Sequence, residues 1–164
     1  MHQEIDVDGR YIFLDTLIEN SSFKLLNIYF PNYENGKLQF IKKMNNLLRK
    51  QDVTTDDRLI IGGDFNCVID PKLDKKRGCD NSLNTQKEKV IAELKSTMQT
   101  NTLQDIWRIK NPFVKRFTWR QTKPLIQCRL DFWLTSEILH NEIESVDITP
   151  AYKTDHSAIT RRYS

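Results

Sequence analysis

Long apolar runs are absent from this 164-residue chain, cysteine is scarce, and neither sign of charge dominates. No stretch approaches the ~18 consecutive apolar residues that a membrane-spanning helix needs. The opening segment, MHQEIDVDGRYIF, has no basic stretch leading into an apolar one, so no signal peptide is visible. The three cysteines, Cys67, Cys79 and Cys128, are odd in number, widely spaced and without a CxxC pair. That pattern excludes a disulfide framework and a zinc site, and reads as reduced intracellular thiols. No internal repeat, low-complexity tract or linker interrupts the chain, and its length fits one domain. With 38% hydrophobic and 29% charged residues the composition is that of a soluble globular protein, not a disordered one.

The net charge of +3 is compatible with a polyanionic partner. Its local form is more informative. PKLDKKRG, residues 71–78, gathers Lys72, Lys75, Lys76 and Arg77 just beyond the apolar strand LIIGGD, residues 59–64. A basic run is ordinarily a solvated loop, but beside a site it can steer phosphate.

Along the chain, two β-type runs at 10–18 and 23–31, separated by Glu19-Asn20-Ser21-Ser22, predict a hairpin. A helix follows, with Phe40, Ile41, Met44, Leu47 and Leu48 on one face. After the 59–64 strand comes a long polar loop. Then a helix is opened by Thr85 with Glu88 at capping-box spacing, burying Val90, Ile91, Leu94 and Met98. Strands are predicted at 117–121, 129–135, 144–149 and 157–163, while Pro112, Pro124 and Pro150 punctuate loops. Strand, helix, strand, helix and further strands describe a mixed α/β sheet.

Four polar constellations stand on this frame. In GGDFN (62–66) the two glycines permit a bend or a close backbone approach, and strand alternation places Asp64 and Asn66 on the same side. The end of an apolar strand is where open α/β sheets place ligands. A carboxylate can orient or deprotonate water there and an amide can hold it, although an Asp and an Asn also simply end strands. In TDHSAI (154–159), His156 adjoins Asp155. An imidazolium suits charge developing on phosphorus, and the alternative is a surface histidine in a turn. In RLDFWLTS (129–136), Asp131 lies among Leu130, Phe132 and Leu134, a costly place for an unpartnered carboxylate. It can orient His156, or form a structural salt bridge with Arg129 or Arg120. In NIYFPN (27–32), Tyr29 can place its hydroxyl on a phosphate or be a half-buried core residue.

Taken together and in this chain order, the four motifs resemble those of the endonuclease/exonuclease/phosphatase superfamily. That is the deoxyribonuclease I-like fold of apurinic/apyrimidinic endonucleases and of the endonuclease domain in LINE-type retrotransposon polyproteins. DPKLDKKRG (70–78) and FTWRQ (117–121) resemble the retrotransposon branch, and argue against the members that cleave phosphoinositides or sphingomyelin. The resemblance implies a two-sheet α/β sandwich of mixed sheets flanked by helices, and a Mg²⁺- or Mn²⁺-dependent phosphodiester hydrolase that nicks DNA. It implies that Asp64 positions or activates water with help from Asn66. His156, oriented by Asp131, would stabilise the scissile phosphate, Tyr29 would contact it, and Asp155 would lie by the metal. Asn32, Lys75, Lys76, Arg77, Trp119 and Arg129 would contact DNA.

One departure bears on activity. Family members begin with a strand carrying an Asn and a second strand ending in Gln-Glu, whose Glu is a principal metal ligand. Gln3-Glu4 stands directly before IDVDGRYIFLD, too late in the family pattern to be that pair. The expectation is therefore a single partial domain over 1–164, the C-terminal two-thirds or so, lacking the first strands. Its metal site would be incomplete, since hard cations take several oxygen ligands, and an apolar sheet edge and face would be exposed. Arg161 and Arg162 would stand in a last strand where apolar residues are expected. Two functions follow: a DNA-nicking endonuclease, or an inactive fragment with at most weak nucleic-acid binding. DNA is the expected partner, with no membrane and no sign of an oligomer. The compartment, nuclear or cytoplasmic, is not encoded.

Overall fold

The computed structural model describes residues 1–78, 85–150 and 154–163. Strands β1 (His2–Ile5), β2 (Tyr11–Ile18) and β3 (Ser21–Tyr29) form an antiparallel meander. The β2–β3 turn is tighter than predicted: only Glu19 and Asn20 lie outside the strands, at φ +49° and +65°, the left-handed pair that matches hairpin twist. Helix α1 (Glu34–Lys50) crosses over and lays β4 (Leu59–Asp64) parallel to β3.

The expected long polar loop is partly ordered structure. Asp70 caps the short helix α2 (Pro71–Asp74), its Oδ1 accepting from the Lys72 and Leu73 N–H groups, and β5 (Lys75–Lys76) follows. Helix α3 (Thr85–Thr100) has Thr85 as its first helical residue, one position inside the cap that the capping-box spacing predicts. Cys79 lies outside the described residues. Strand β6 (Leu103–Asp105) and helix α4 (Ile106–Lys110) were not predicted, being too short to develop a period. The last third comprises β7 (Trp119–Thr122), β8 (Leu125–Cys128), β9 (Asp131–Ser136), β10 (Ile143–Thr149) and β11 (Ala158–Tyr163). Only β8 was unforeseen among these.

The main sheet has the order β1-β2-β3-β4-β9-β6. Helices α1 and α3 cover one face, where Phe40, Ile41, Met44, Val90 and Leu94 meet Phe13, Leu26, Ile61 and Phe132. The second face packs Phe23 and Ile60 against α4 and the β10–β11 sheet through Trp107, Val146 and Ile148. A small third sheet, β5-β8-β7, closes one end. The result is the expected mixed α/β sandwich. Apolar side chains do remain in the open on β2: Ile12, Leu17 and Ile18 are all exposed. Arg161, by contrast, serves the sandwich, because its guanidinium lies 4.6 Å from the Trp133 ring centre and caps that face. Among the described residues no helix is long and apolar enough to cross a membrane.

The two adjacent glycines are required by the sheet. A Cβ on Gly62 would come within 2.0 Å of the Trp133 ring, and one on Gly63 within 1.9 Å of the Ile28 carbonyl oxygen. Gly63 also has φ +142°. A ring can shift, whereas the neighbouring strand's backbone cannot without breaking its ladder. Gly63→Ala is therefore expected to cost about 3 kcal/mol or more and Gly62→Ala less, as read from urea unfolding midpoints.

A buried ion network ties the pieces together. Arg129 is 1% exposed; its Nε and Nη2 donate to Asp74 at 2.7 and 3.1 Å, and Nη2 donates to Asp105 at 2.6 Å. The Arg129 N–H also donates to the Asp74 carbonyl at 2.8 Å. Arg129→Met would leave buried Asp105 without its cation and Asp74 with Arg108 alone, for an expected loss of about 3–5 kcal/mol measurable by the same unfolding curves.

Candidate active site

Three strand ends meet at one edge of the sandwich. Parallel pairing sets Tyr29 beside Asp64, and antiparallel pairing sets Asp64 opposite Asp131. The chain then leaves β4 irregularly. The Phe65 N–H donates to the Leu130 carbonyl while its ring is wholly buried against Phe30 and Phe132. Asn66 follows at φ +48°, so it does not continue the strand's alternation as predicted. It returns to the site through a left-handed turn: its N–H donates to Asp64 Oδ1 at 2.8 Å, and its Nδ2 donates to the Phe30 carbonyl at 2.8 Å. With the amide nitrogen tied back, the Asn66 side-chain oxygen is the group left to hold a ligand.

His156 approaches from the opposite side. Its Nδ1 lies 3.0 Å from Asp131 Oδ2, and its backbone bridges to Trp119. The structure thus brings Asp131 to His156, and not to Arg129 or Arg120. Nε2 is then the ring nitrogen available to a ligand. Asp131 itself is held by Thr118, a residue that motif reading did not single out. Buried Thr118 Oγ1 accepts from the N–H groups of Leu130 and Asp131 at 2.9 and 3.1 Å, and the Thr118 carbonyl accepts from the Ser157 N–H at 2.6 Å. One threonine therefore fixes the chain on both sides of the carboxylate–imidazole pair.

A second residue escaped the sequence reading, although a signal for it existed. Lys37 lies on the buried stripe of α1, one turn before Phe40 and Ile41, and is 4% exposed. Its Nζ donates to Glu34 at 3.0 Å, and its charge reaches Asp64. A lysine on the apolar face of an amphipathic helix is unusual enough to mark a site.

Burial pushes the Asp64 carboxyl above the ordinary carboxylate range, and neighbouring Asp131 adds to the rise. The Asn66 N–H, His156 and Lys37 pull it back without cancelling it. Asp64 is thus poised nearer to neutrality than a surface aspartate, which suits proton transfer. Asp155 is the contrast. It is exposed, and its own backbone N–H and the Trp119 indole, 3.1 Å from Oδ2, hold it below the usual range.

The remaining sequence-nominated residues divide. Tyr29 is half exposed, with the Arg10 guanidinium 4.8 Å from its ring centre. Asn32, Lys37, Asn66 and Lys75 line a cleft of about 760 Å³ that opens beside the site. Lys76 and Arg77 are exposed next to it. Trp119 is half-buried and engaged with Asp155. Arg129 is a correction: its guanidinium is sealed inside the Asp74–Asp105 network and cannot reach DNA. As for a divalent cation, no group of three or more His, Cys, Asp or Glu side chains able to hold one occurs among the described residues. Asp155 points one carboxylate oxygen at an indole, and Asp64 points one at a backbone N–H. These residues alone do not fit a Mg²⁺ or Mn²⁺ site.

No protein-family model matches the chain. An AP endonuclease from Leishmania major superposes over 93% of this chain with a TM-score of 0.74 at 19% identity. The fold is that of the endonuclease/exonuclease/phosphatase superfamily. The endonuclease domain of TRAS1, a telomere-specific non-LTR retrotransposon, superposes over 94% with a TM-score of 0.67 at 14% identity. In sequence, the chain is 29% identical over 163 residues to an uncharacterized 149 kDa protein of transposon TX1 from Xenopus laevis. The chain spans 12% of that transposon protein and 54% of the Leishmania enzyme.

The raised Asp64 carboxyl has a consequence for stability. With a folded value above the unfolded one, the native state binds the extra proton as pH falls. Asp64 therefore costs stability in full at neutral pH, and that cost fades as pH drops through the folded value to the unfolded one. Asp64→Asn keeps an oxygen for the Asn66 N–H and removes the charge. It is expected to unfold at higher urea concentration than the parent at pH 7, with the gain lost near the unfolded carboxylate value of about 3.9.

Proposed function

We propose that this chain carries the phosphodiester-handling site of a DNA-nicking endonuclease domain of a LINE-type retrotransposon. The observation that carries the reading is the convergence of Asp64, Asn66 and an Asp131–His156 pair at three neighbouring strand ends. The nuclease fold and the transposon relative support it.

In this reading a DNA phosphate sits between His156 and Asp64. Asp64, desolvated and short of full acidity, orients the attacking water and takes its proton. The Asn66 oxygen holds the same water in line, opposite the phosphorus–oxygen bond to the sugar that breaks as the new one forms, and the departing sugar oxygen takes a proton from solvent water. His156 Nε2 donates to a phosphate oxygen as charge builds there, and Asp131 on Nδ1 fixes the ring and its tautomer. Tyr29, beside Asp64, donates its hydroxyl to a second phosphate oxygen. Lys76 and Arg77 attract the backbone, a contribution that falls with salt. The metal dependence of such an enzyme would require oxygen ligands beyond Asp155.

That same shortage of ligands favours a second reading, in which the chain as it stands does not cleave and binds nucleic acid weakly. Plasmid nicking by purified 1–164, with Mg²⁺ against EDTA, separates the two. The endonuclease reading expects nicking that EDTA abolishes and that falls by about 10²–10⁴-fold in Asp64→Ala and in His156→Ala. Nicking retained in either variant would overturn the residue roles. No nicking by demonstrably folded protein would favour the binding-only reading.

A further inference from the structure

Phe113 is 84% exposed, and Val114 beside it is 44% exposed. A ring so exposed is usually mobile, yet the backbone carrying it is clamped. Arg108 Nη1 donates to the carbonyls of Asn111, Pro112 and Val114 at 3.0, 3.3 and 3.0 Å, while Nη2 is anchored on Asp74. One guanidinium therefore holds the loop around the ring from inside, and the buried Asp74–Arg129 pair holds the guanidinium. Exposing a rigid aromatic side chain has a cost in water that a binding partner removes.

The charge around the ring identifies the partner's chemistry. The loop runs directly into Thr118, which holds Asp131, and so ends at the candidate active site. A groove of about 210 Å³ is lined by Lys115, Arg116 and Phe117 of this loop together with Trp119, Arg120 and Ser157, the last of which adjoins His156. Arg116 is spent on Asp147 and the Ile148 carbonyl. Among the described residues, Lys115 and Arg120 have no acidic partner and are exposed. A rigid aromatic beside unpaired cations is the combination that grips a nucleic-acid strand, the ring taking a base and the cations its phosphates.

We propose that the 111–117 loop is a DNA-gripping element. The Phe113 ring stacks on an unstacked base of the strand bound at His156, with Lys115 and Arg120 on the flanking phosphates. The inference rests on the proposed function for its ligand but concerns binding, so it is tested without cleavage. The probe is a short DNA duplex carrying 2-aminopurine at successive positions, titrated in EDTA. Wild type is expected to raise the fluorescence at one or two adjacent positions, which reports unstacking. Phe113→Ala should lose that rise and bind about 10-fold more weakly, whereas Phe113→Trp should keep both. Lys115→Ala and Arg120→Ala should each lower the slope of log affinity against log salt by about 1. The ring's exposure makes Phe113→Ala a mild change for folding.

Unchanged affinity in Phe113→Ala, with no fluorescence response in wild type, would overturn the proposal and leave the ring to a protein partner, whatever the plasmid assay finds. Loss of affinity and signal in Phe113→Ala, in a protein that nicks no plasmid, would uphold the gripping loop while the cleavage reading fails.

Discussion

The buried guanidinium of Arg129 is the contact on which the rest of the molecule depends. It joins Asp74, in the short helix after β4, to Asp105, at the start of α4, from the turn that leads into β9. Three segments that are far apart in the chain are thereby held in one register. An isolated buried ion pair is a weak source of net stability, because desolvation offsets most of its attraction. Its effect here is geometric. Arg129 immediately precedes Leu130 and Asp131, so the placement of the Asp131 carboxylate follows from it, and through Asp74 and Arg108 so does the loop that displays Phe113. Nearby, the Arg129 guanidinium packs 4.4 Å from the Phe132 ring centre, which joins the ion network to the apolar core.

The candidate active site shows the opposite economy. Asp64 faces Asp131 across a strand pair and is partly removed from water, an arrangement that raises its carboxyl and costs stability. What compensates is local: the Asn66 N–H, the cation of Lys37 and the imidazole that Asp131 holds. Gly63 contributes a backbone at φ +142° on which any Cβ would collide with the Ile28 carbonyl of β3. Groups that suit chemistry and groups that suit folding are thus separated by a few ångströms, the first at the strand ends and the second in the ion network behind them.

Much of this was legible in the residues. The hairpin, the two amphipathic helices and the apolar strand before GGDFN are each long enough to show their period, and each was found where expected. Strand β6 and helix α4 were not, since three and five residues carry no period. The motif residues Tyr29, Asp64, Asp131 and His156 are marked by residue type and chain order alone. Lys37 was missed although its place on an apolar stripe announced it, and Thr118 because a threonine between two aromatics looks like any strand residue.

The sequence by itself determined the mixed α/β class, the superfamily resemblance and the identity of the acidic and imidazole groups at the strand ends. Those depend on residue type and spacing, which are local properties. Tertiary structure decided everything that depends on which groups meet. It gave Asp131 to His156 and withdrew Arg129 into the interior. It turned Asn66 back through a left-handed residue, and among the described residues it gathered no group of three metal-ligating side chains about Asp155. Partners in space are separated by 25 residues for Asp131 and His156 and by 55 for Asp74 and Arg129, and nothing in the linear order chooses among the possible pairings. Only packing makes that choice, because burial penalises every charged group that lacks its partner.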